Sequence, residues 1–90
     1  MSSAWTIELS DSAKRQLRNF DRVVAKRIVR FLQERIATHD DPRQLGKALR
    51  GDFGNYWSYR VGDYRILCEI HDDKLLVLVI AIGHRSNIYR

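Results

Sequence analysis

The spacing of hydrophobic residues changes along the chain, and each spacing predicts a different element. Residues 5–9 alternate between apolar and polar side chains, which is the period of a β-strand. Ser10 or Asp11 can then cap a helix, and Asp21 is placed to cap a second one. The apolar stripe of that second helix is Val24, Ile28, Phe31, Leu32 and Ile36, with Arg22, Lys26, Arg27 and Arg30 on the opposite face. The first part of the chain therefore predicts one strand followed by two amphipathic helices.

The second half predicts strands after a short irregular connection. Pro42 ends the helical region, because the residue before a proline avoids the α conformation. Residues 45–49 predict a single helical turn. Residues 56–61 and 64–70 flank Gly62-Asp63, a two-residue signal for a β-hairpin. Residues 75–82 are apolar at every position, so this strand is expected to be covered on both faces or central in a sheet.

This order of elements indicates an α+β fold with the arrangement β-α-α-β-β-β. We expect the two N-terminal helices to pack on one face of a mostly antiparallel four-stranded sheet, with the first strand at its edge. Ninety residues allow one compact domain, so we expect residues 1–90 to form a single domain.

Charge is the first indication of a partner. Sixteen Lys and Arg residues against eleven Asp and Glu residues give a net charge of +5. A small basic domain favours a polyanionic partner, most often a nucleic acid. The alternative is a charged surface that only keeps the protein dissolved.

Several functional classes are not supported by the sequence. The single cysteine, Cys68, excludes an intramolecular disulfide and is expected to be a buried thiol. The glycines fit no nucleotide-binding fingerprint and the histidines lack metal spacing, so we expect neither a cofactor nor a metal. We see no secretory signal and no apolar run long enough to span a membrane, which makes the cytoplasm the expected location and leaves no membrane partner.

Candidate chemistry lies in the C-terminal half, where arginines and aromatic residues interleave. In residues 64–70 the alternation puts Arg65 on the face away from the apolar set, in the middle of the predicted sheet. Basic side chains suit phosphates and rings suit bases, so the pattern favours single-stranded RNA. The alternative, that rings are cross-strand packing pairs, is preferred for Trp57 and Tyr64, whereas Tyr89 is interpreted as functional.

Three segments of the chain resemble the RelE/ParE toxin superfamily. They are the L-x-x-x-L-R-G segment of residues 45–51, Y-R-V-G-D-Y-R-I-L at residues 59–67, and G-H-R-x-x-I-Y at residues 83–89. The order of elements matches as well, so the resemblance covers essentially the whole chain. It implies a toxin of a type II toxin–antitoxin system, held inactive by a small RelB-like antitoxin.

The resemblance also implies a mechanism. RelE-type toxins cut messenger RNA, typically in the ribosomal A site, without a metal. The 2′-hydroxyl attacks the adjacent phosphate and leaves a 2′,3′-cyclic phosphate. Arg65 and Arg85 match the family's catalytic arginines, and Tyr89 matches its C-terminal tyrosine. The expected partners are therefore messenger RNA and the ribosome, with operator DNA bound only through the antitoxin.

One departure from the family leaves the general base unassigned. Relatives carry two lysines at the positions of Tyr56 and Ser58. Tyr89 would need a lowered pKa to serve, and His84 is the other candidate, although it can equally be part of the scaffold. The remaining basic residues expected to contact RNA phosphates are Lys47, Arg50, Arg60 and Arg90.

Two alternatives to the nuclease stay open. The ParE branch has the same fold and poisons DNA gyrase, which would suit the missing lysines. A catalytically silent homologue, acting only in its antitoxin complex, would carry the fold without the activity.

Overall fold

A computed structural model describes residues 4–49 and 56–84. The chain runs through β1 (Thr6–Leu9), α1 (Asp11–Asn19) and α2 (Arg22–Phe31). A π-helical turn at Leu32–Ile36 extends α2, and a 3₁₀ turn follows at Pro42–Leu45. The remaining strands are β2 (Lys47–Ala48), β3 (Tyr56–Val61), β4 (Tyr64–His71) and β5 (Leu76–His84), with a 3₁₀ turn at Asp72–Lys74 between the last two.

The five strands form one mixed sheet in the order β1-β5-β4-β3-β2. The first strand lies at the edge and runs parallel to β5, whereas all other neighbours are antiparallel. The predicted α+β architecture, with its edge position for the first strand, is confirmed. The expected count of four strands is wrong, because residues 47–48 pair with β3 as a fifth strand.

Two local predictions need correction. The helical turn expected at residues 45–49 lies earlier, at Pro42–Leu45, where Asp41 caps it by accepting a hydrogen bond from the Arg43 amide. Leu75, expected in the last strand, instead has a left-handed backbone (φ 48°) and ends the preceding turn. Neither a two-residue strand nor a three-residue turn is long enough to produce a hydrophobic period.

The helices begin where their capping residues indicate. The Ser10 hydroxyl accepts a hydrogen bond from the Ala13 amide (3.0 Å) and donates one to the Ile80 carbonyl (2.6 Å). Asp21 is the N-cap of α2, although its side chain makes no capping hydrogen bond. On α1, Gln16 accepts a hydrogen bond from the Ile82 amide. Ser10 and Gln16 thus fix α1 to β5. The contacts lie beside a β-bulge that interrupts the pairing of β5 with β4.

The core lies between the helices and one face of the sheet. The stripe predicted for the second helix supplies Ile28, Leu32 and Ile36, all buried, while its basic residues are exposed. The sheet contributes the buried residues Tyr59, Val61, Ile66, Cys68, Ile70, Val77, Val79 and Ile82. Cys68 is buried as predicted, and burial raises the pKa of its thiol. Within residues 4–49 and 56–84, neither α1 nor α2 lies on the opposite face of the sheet.

The described residues contain neither a membrane-spanning helix nor a cluster of metal-binding side chains. In residues 4–49 and 56–84, no helix is long and apolar enough to cross a membrane. The same residues contain no group of three acidic, histidine or cysteine side chains that could hold a metal ion.

Candidate phosphate-binding pocket

The candidate site lies on the face of the sheet that the helices do not cover. Side chains alternate between the two faces of a strand, so Tyr59 and Val61 on β3 point into the core. Ser58 and Arg60 therefore point to the opposite face. On β4 the same alternation buries Ile66 and sends Arg65 to the face of Arg60.

The hairpin between β3 and β4 sets two arginines directly opposite each other. The tight turn at residues 62–63 contains Gly62 with a φ of +60°, which glycine adopts at little cost. The register then pairs Val61 with Tyr64, and Arg60 with Arg65. The Arg60 Nε donates a hydrogen bond to the Gly62 carbonyl (3.2 Å). Two guanidinium groups side by side offer several hydrogen-bond donors, a chemistry that suits an anion such as phosphate.

A lysine joins the two arginines from the edge of the sheet. In the register of β2 with β3, Lys47 lies directly opposite Ser58. The close approach of the two strands needs Gly46, since a Cβ there would lie 2.8 Å from both the Ser58 carbonyl oxygen and the Tyr59 ring. Real Cβ atoms do not approach other atoms this closely, so Gly46 allows Lys47 to reach the basic face.

Together these residues line a pocket of about 260 Å³. Its described lining contains three cations and no acidic side chain. The residues that line it are Gln44, Leu45, Gly46, Lys47, Ser58, Tyr59, Arg60 and Arg65. Guanidinium and ammonium groups converging in one concave surface can bind a phosphate and stabilise charge that develops on it.

The wall of the pocket is held by the 3₁₀ turn at Pro42–Leu45. The buried Tyr59 hydroxyl donates a hydrogen bond to the Pro42 carbonyl (2.8 Å), and burial raises the pKa of Tyr59. Arg43 makes a bidentate ion pair with Asp72, at 2.9 and 2.5 Å, and lies 5.9 Å from the centre of the Trp57 ring. The hydrogen bond between the two side chains lowers the pKa of Asp72 and raises the pKa of Arg43. These contacts fix the turn that leads into Lys47.

The structure separates the predicted site residues into three groups. Lys47, Arg60 and Arg65 lie together at the pocket. His84 pairs with Tyr64 across β4 and β5, and its ring contacts the Tyr64 ring on the helix side of the sheet. The predicted site residues Arg50, Arg85, Tyr89 and Arg90 lie outside the described residues.

Aromatic packing accounts for two of the rings that the sequence offered as base-stacking candidates. The rings of Tyr64 and Phe20 lie 5.0 Å apart, and Trp57 packs against the core. Trp57 and Tyr64 are therefore packing residues, which was the interpretation preferred for them from the sequence. Elsewhere on β4, Glu69 forms an ion pair with His71 (2.5 Å) rather than with Arg65, which is four residues away along the strand.

Sequence reasoning missed the residues that shape the pocket, namely Gln44, Gly46 and the buried Ser58. Lys47 follows Gly46 and precedes Ala48, and this short run has no hydrophobic period that would assign Lys47 to a strand. The one available signal was the two-residue turn, which fixes Arg60 opposite Arg65.

Comparison with known proteins gives consistent matches over nearly the whole chain. Residues 7–89 match the family described as the ParE toxin of the type II toxin–antitoxin system parDE. The toxin RelG of Mycobacterium tuberculosis is 29% identical over 86 residues, covering 96% of this chain and 97% of the relative. The toxin RelE of the same organism is 33% identical over 84 residues, covering 93% of this chain and 84% of the relative.

Solved structures agree with these sequence matches. The toxin–antitoxin complex RelBE2 of M. tuberculosis contains a chain that superimposes with a TM-score of 0.84 at 26% identity, with 97% of each chain covered. The isolated RelE toxin of E. coli has the same fold, with a TM-score of 0.71, 22% identity and coverage of 94% and 90%.

Proposed function

This chain belongs to the RelE/ParE superfamily of type II toxin–antitoxin toxins, and from that membership we propose that it is a metal-independent endoribonuclease. Its substrate is messenger RNA, and cleavage takes place in the ribosomal A site. The expected place of action is accordingly the cytoplasm.

The observation that carries the proposal is the basic pocket on the face of the sheet opposite the two helices. Arg60 and Arg65 are directly opposite each other, and Lys47 lines the same pocket from the neighbouring strand. Guanidinium and ammonium groups that converge in one pocket in this way suit the binding of a phosphate through charge-assisted hydrogen bonds.

In the proposed reaction the 2′-hydroxyl attacks the adjacent phosphate, and negative charge accumulates on the phosphoryl oxygens. Arginines held in position by a sheet stabilise that charge without having to reorganise. We assign this role to Arg65, with Arg60 as a contact to the RNA backbone. Arg85 and Tyr89 keep the roles implied by the family, as do Arg50 and Arg90 as phosphate contacts. His84, whose ring packs on Tyr64, is left out of the reaction.

An antitoxin is the partner expected of any type II toxin, and a neighbouring solved structure is such a toxin–antitoxin complex. We propose a RelB-like antitoxin whose acidic or apolar segment covers the face of Arg65. Operator DNA would be bound only through that antitoxin. A complex that leaves this face open and ordered would contradict the assignment.

The test is induced expression without antitoxin, followed by primer extension on a reporter messenger RNA. Cleavage within translated codons, lost in Arg65→Ala and Arg85→Ala, is the expected result. Full toxicity in both variants would overturn the assignment of these residues.

A gyrase inhibitor is the second candidate, and it is favoured by the match to a family described as ParE toxin. It predicts growth arrest with intact messenger RNA in the same experiment. A supercoiling assay with purified gyrase would then show inhibition by the wild-type protein.

A further inference from the structure

Among the described residues that line the pocket, Lys47 is the side chain suited to transfer a proton. Cleavage of an RNA strand breaks the bond between phosphorus and the 5′-oxygen, and this oxygen must gain a proton as it leaves. Arginine serves poorly as a proton donor, because a guanidinium holds its proton far above neutral pH. Arg60 and Arg65 are thus suited to hold the phosphate rather than to protonate a leaving group.

The other polar side chains that line the described pocket are also unsuited. The Tyr59 hydroxyl is buried, donates its proton to the Pro42 carbonyl, and has its pKa raised by burial. Ser58 is only 5% exposed, and a serine hydroxyl is a far weaker acid than an ammonium group. The side-chain amide of Gln44 does not give up a proton near neutral pH. Lys47, by contrast, is exposed and belongs to the same lining as the two arginines.

The position of Lys47 is built by the fold. Its backbone lies directly opposite Ser58, two residues along β3 from Arg60 on the same face. The close contact at Gly46 and the Arg43–Asp72 ion pair hold the segment that leads into it. A lysine on the edge strand can therefore reach the space beside Ser58 from the adjacent backbone.

Resting on the proposed nuclease function, we infer that Lys47 is the general acid that protonates the leaving 5′-oxygen. The 2′-oxygen forms a bond to phosphorus and loses its proton to solvent water. The bond from phosphorus to the 5′-oxygen breaks, and that oxygen takes a proton from the Lys47 ammonium. The resulting neutral amine regains a proton from water, so the enzyme returns to its starting state.

A substrate that needs no acid tests this assignment. Two ribosome-bound messenger RNAs are compared in single-turnover cleavage, one natural and one with sulfur in place of the bridging 5′-oxygen at the scissile bond. A thiolate leaves without a proton. Lys47→Ala is expected to slow cleavage of the natural RNA by ~10²–10⁴-fold, the usual contribution of general acid–base catalysis. The same variant should cleave the sulfur-containing RNA at nearly the wild-type rate.

Three further variants separate proton transfer from charge and from folding. Lys47→Arg keeps the positive charge but holds its proton, so it should behave like Lys47→Ala on both RNAs. Arg60→Ala should be slow on both RNAs, since it removes a phosphate contact. Lys14 is an exposed residue of α1, the helix fixed to β5 on the other face of the sheet, and Lys14→Ala should slow cleavage of neither RNA.

The outcomes distinguish the inference from the proposed function. Equal slowing of Lys47→Ala on both RNAs, or full activity of Lys47→Arg on the natural RNA, would overturn the role of Lys47 while leaving the nuclease intact. If the wild-type protein cleaves neither RNA, the proposed function itself fails, and the inference fails with it. Thermal unfolding of each variant confirms that differences in rate are not losses of fold.

Discussion

At the scale of single residues, the molecule places two like charges where a sheet tolerates them poorly. Arg60 and Arg65 are cross-strand partners in the hairpin. Cross-strand pairs contribute roughly 0.2–1 kcal/mol when charges are opposite, and like charges oppose folding. Replacing Arg60 with an acidic residue should therefore raise the stability of the fold and lower its nuclease activity.

The variant Arg60→Glu tests that conflict. It should raise the free energy of unfolding by roughly 0.2–1 kcal/mol, because the new carboxylate faces Arg65. It should also abolish cleavage of messenger RNA, since the carboxylate repels the phosphate. Urea unfolding and a cleavage assay in a translation extract measure the two effects. The control Arg15→Glu, on the exposed surface of α1, should leave cleavage unchanged, and a destabilised but active Arg60→Glu would refute the argument.

Gly46 makes a second prediction at this scale. An alanine Cβ would collide with the Ser58 carbonyl oxygen, which is backbone and cannot rotate away. We expect Gly46→Ala to lower the free energy of unfolding by ~1–3 kcal/mol through crowding, and to reduce cleavage by displacing Lys47. Gly62→Asn is a matched control, because asparagine tolerates a positive φ and a Cβ there meets Arg27 only at 3.5 Å. Equal effects of the two substitutions on cleavage would refute a specific role for Gly46.

At the scale of elements, the Arg43–Asp72 ion pair connects the 3₁₀ turn before β2 to the turn between β4 and β5. Its hydrogen bonds lower the pKa of Asp72 below the ordinary value of 3.8. A carboxyl whose pKa is lower in the folded state adds stability above its unfolded pKa and loses that contribution as the pH falls through the folded value.

Asp72→Asn should accordingly lower the melting temperature at pH 7, and the difference from wild type should shrink and vanish in strong acid. Thermal unfolding followed by circular dichroism between pH 7 and pH 2 measures this. Asp73→Asn, in the same turn, controls for loss of a negative charge on a basic protein. If the melting temperature of Asp72→Asn stays below that of wild type by the same amount at every pH, the carboxylate charge is not the cause of the difference.

The elements also show what the sequence could and could not predict. Ile28, Leu32 and Ile36 lie on the predicted stripe because burial requires one face of a helix. The hairpin was predicted by strand periodicity and a two-residue turn, and the edge position of β1 was expected as well. The position of Lys47 opposite Ser58 could not be predicted, since β2 has two residues and its register depends on contacts of Gly46 and Arg43 with distant segments.

At the scale of the whole molecule, the fold assigns its two faces to different tasks. The helices bury one face of the sheet, and α1 is fixed to β5 through Ser10 and Gln16. The other face presents Lys47, Arg60 and Arg65 on three adjacent strands, so their spacing is set by the sheet. A rigid scaffold of this kind keeps cations in position that would otherwise move apart.

The net charge of +5 combined with this basic face leads to a prediction for RNA binding. Binding to single-stranded RNA releases counterions, so the logarithm of the association constant should fall linearly with the logarithm of salt concentration, by about 0.7 per phosphate contacted. Fluorescence anisotropy with a short 2′-O-methyl RNA, which lacks the attacking hydroxyl, measures the slope without cleavage.

Single substitutions then locate the contacts that produce this slope. Lys47→Gln and Arg60→Gln should each reduce its magnitude by roughly one contact, whereas Arg15→Gln on α1 should leave it unchanged. Because the slope counts phosphates rather than reporting affinity, it separates charge neutralisation at the pocket from a general effect of the protein's positive charge. A binding constant that does not depend on salt would mean that the pocket does not bind the RNA backbone. An equal reduction of the slope by all three substitutions would mean the same. A protein target such as gyrase would then account better for a toxin of this superfamily.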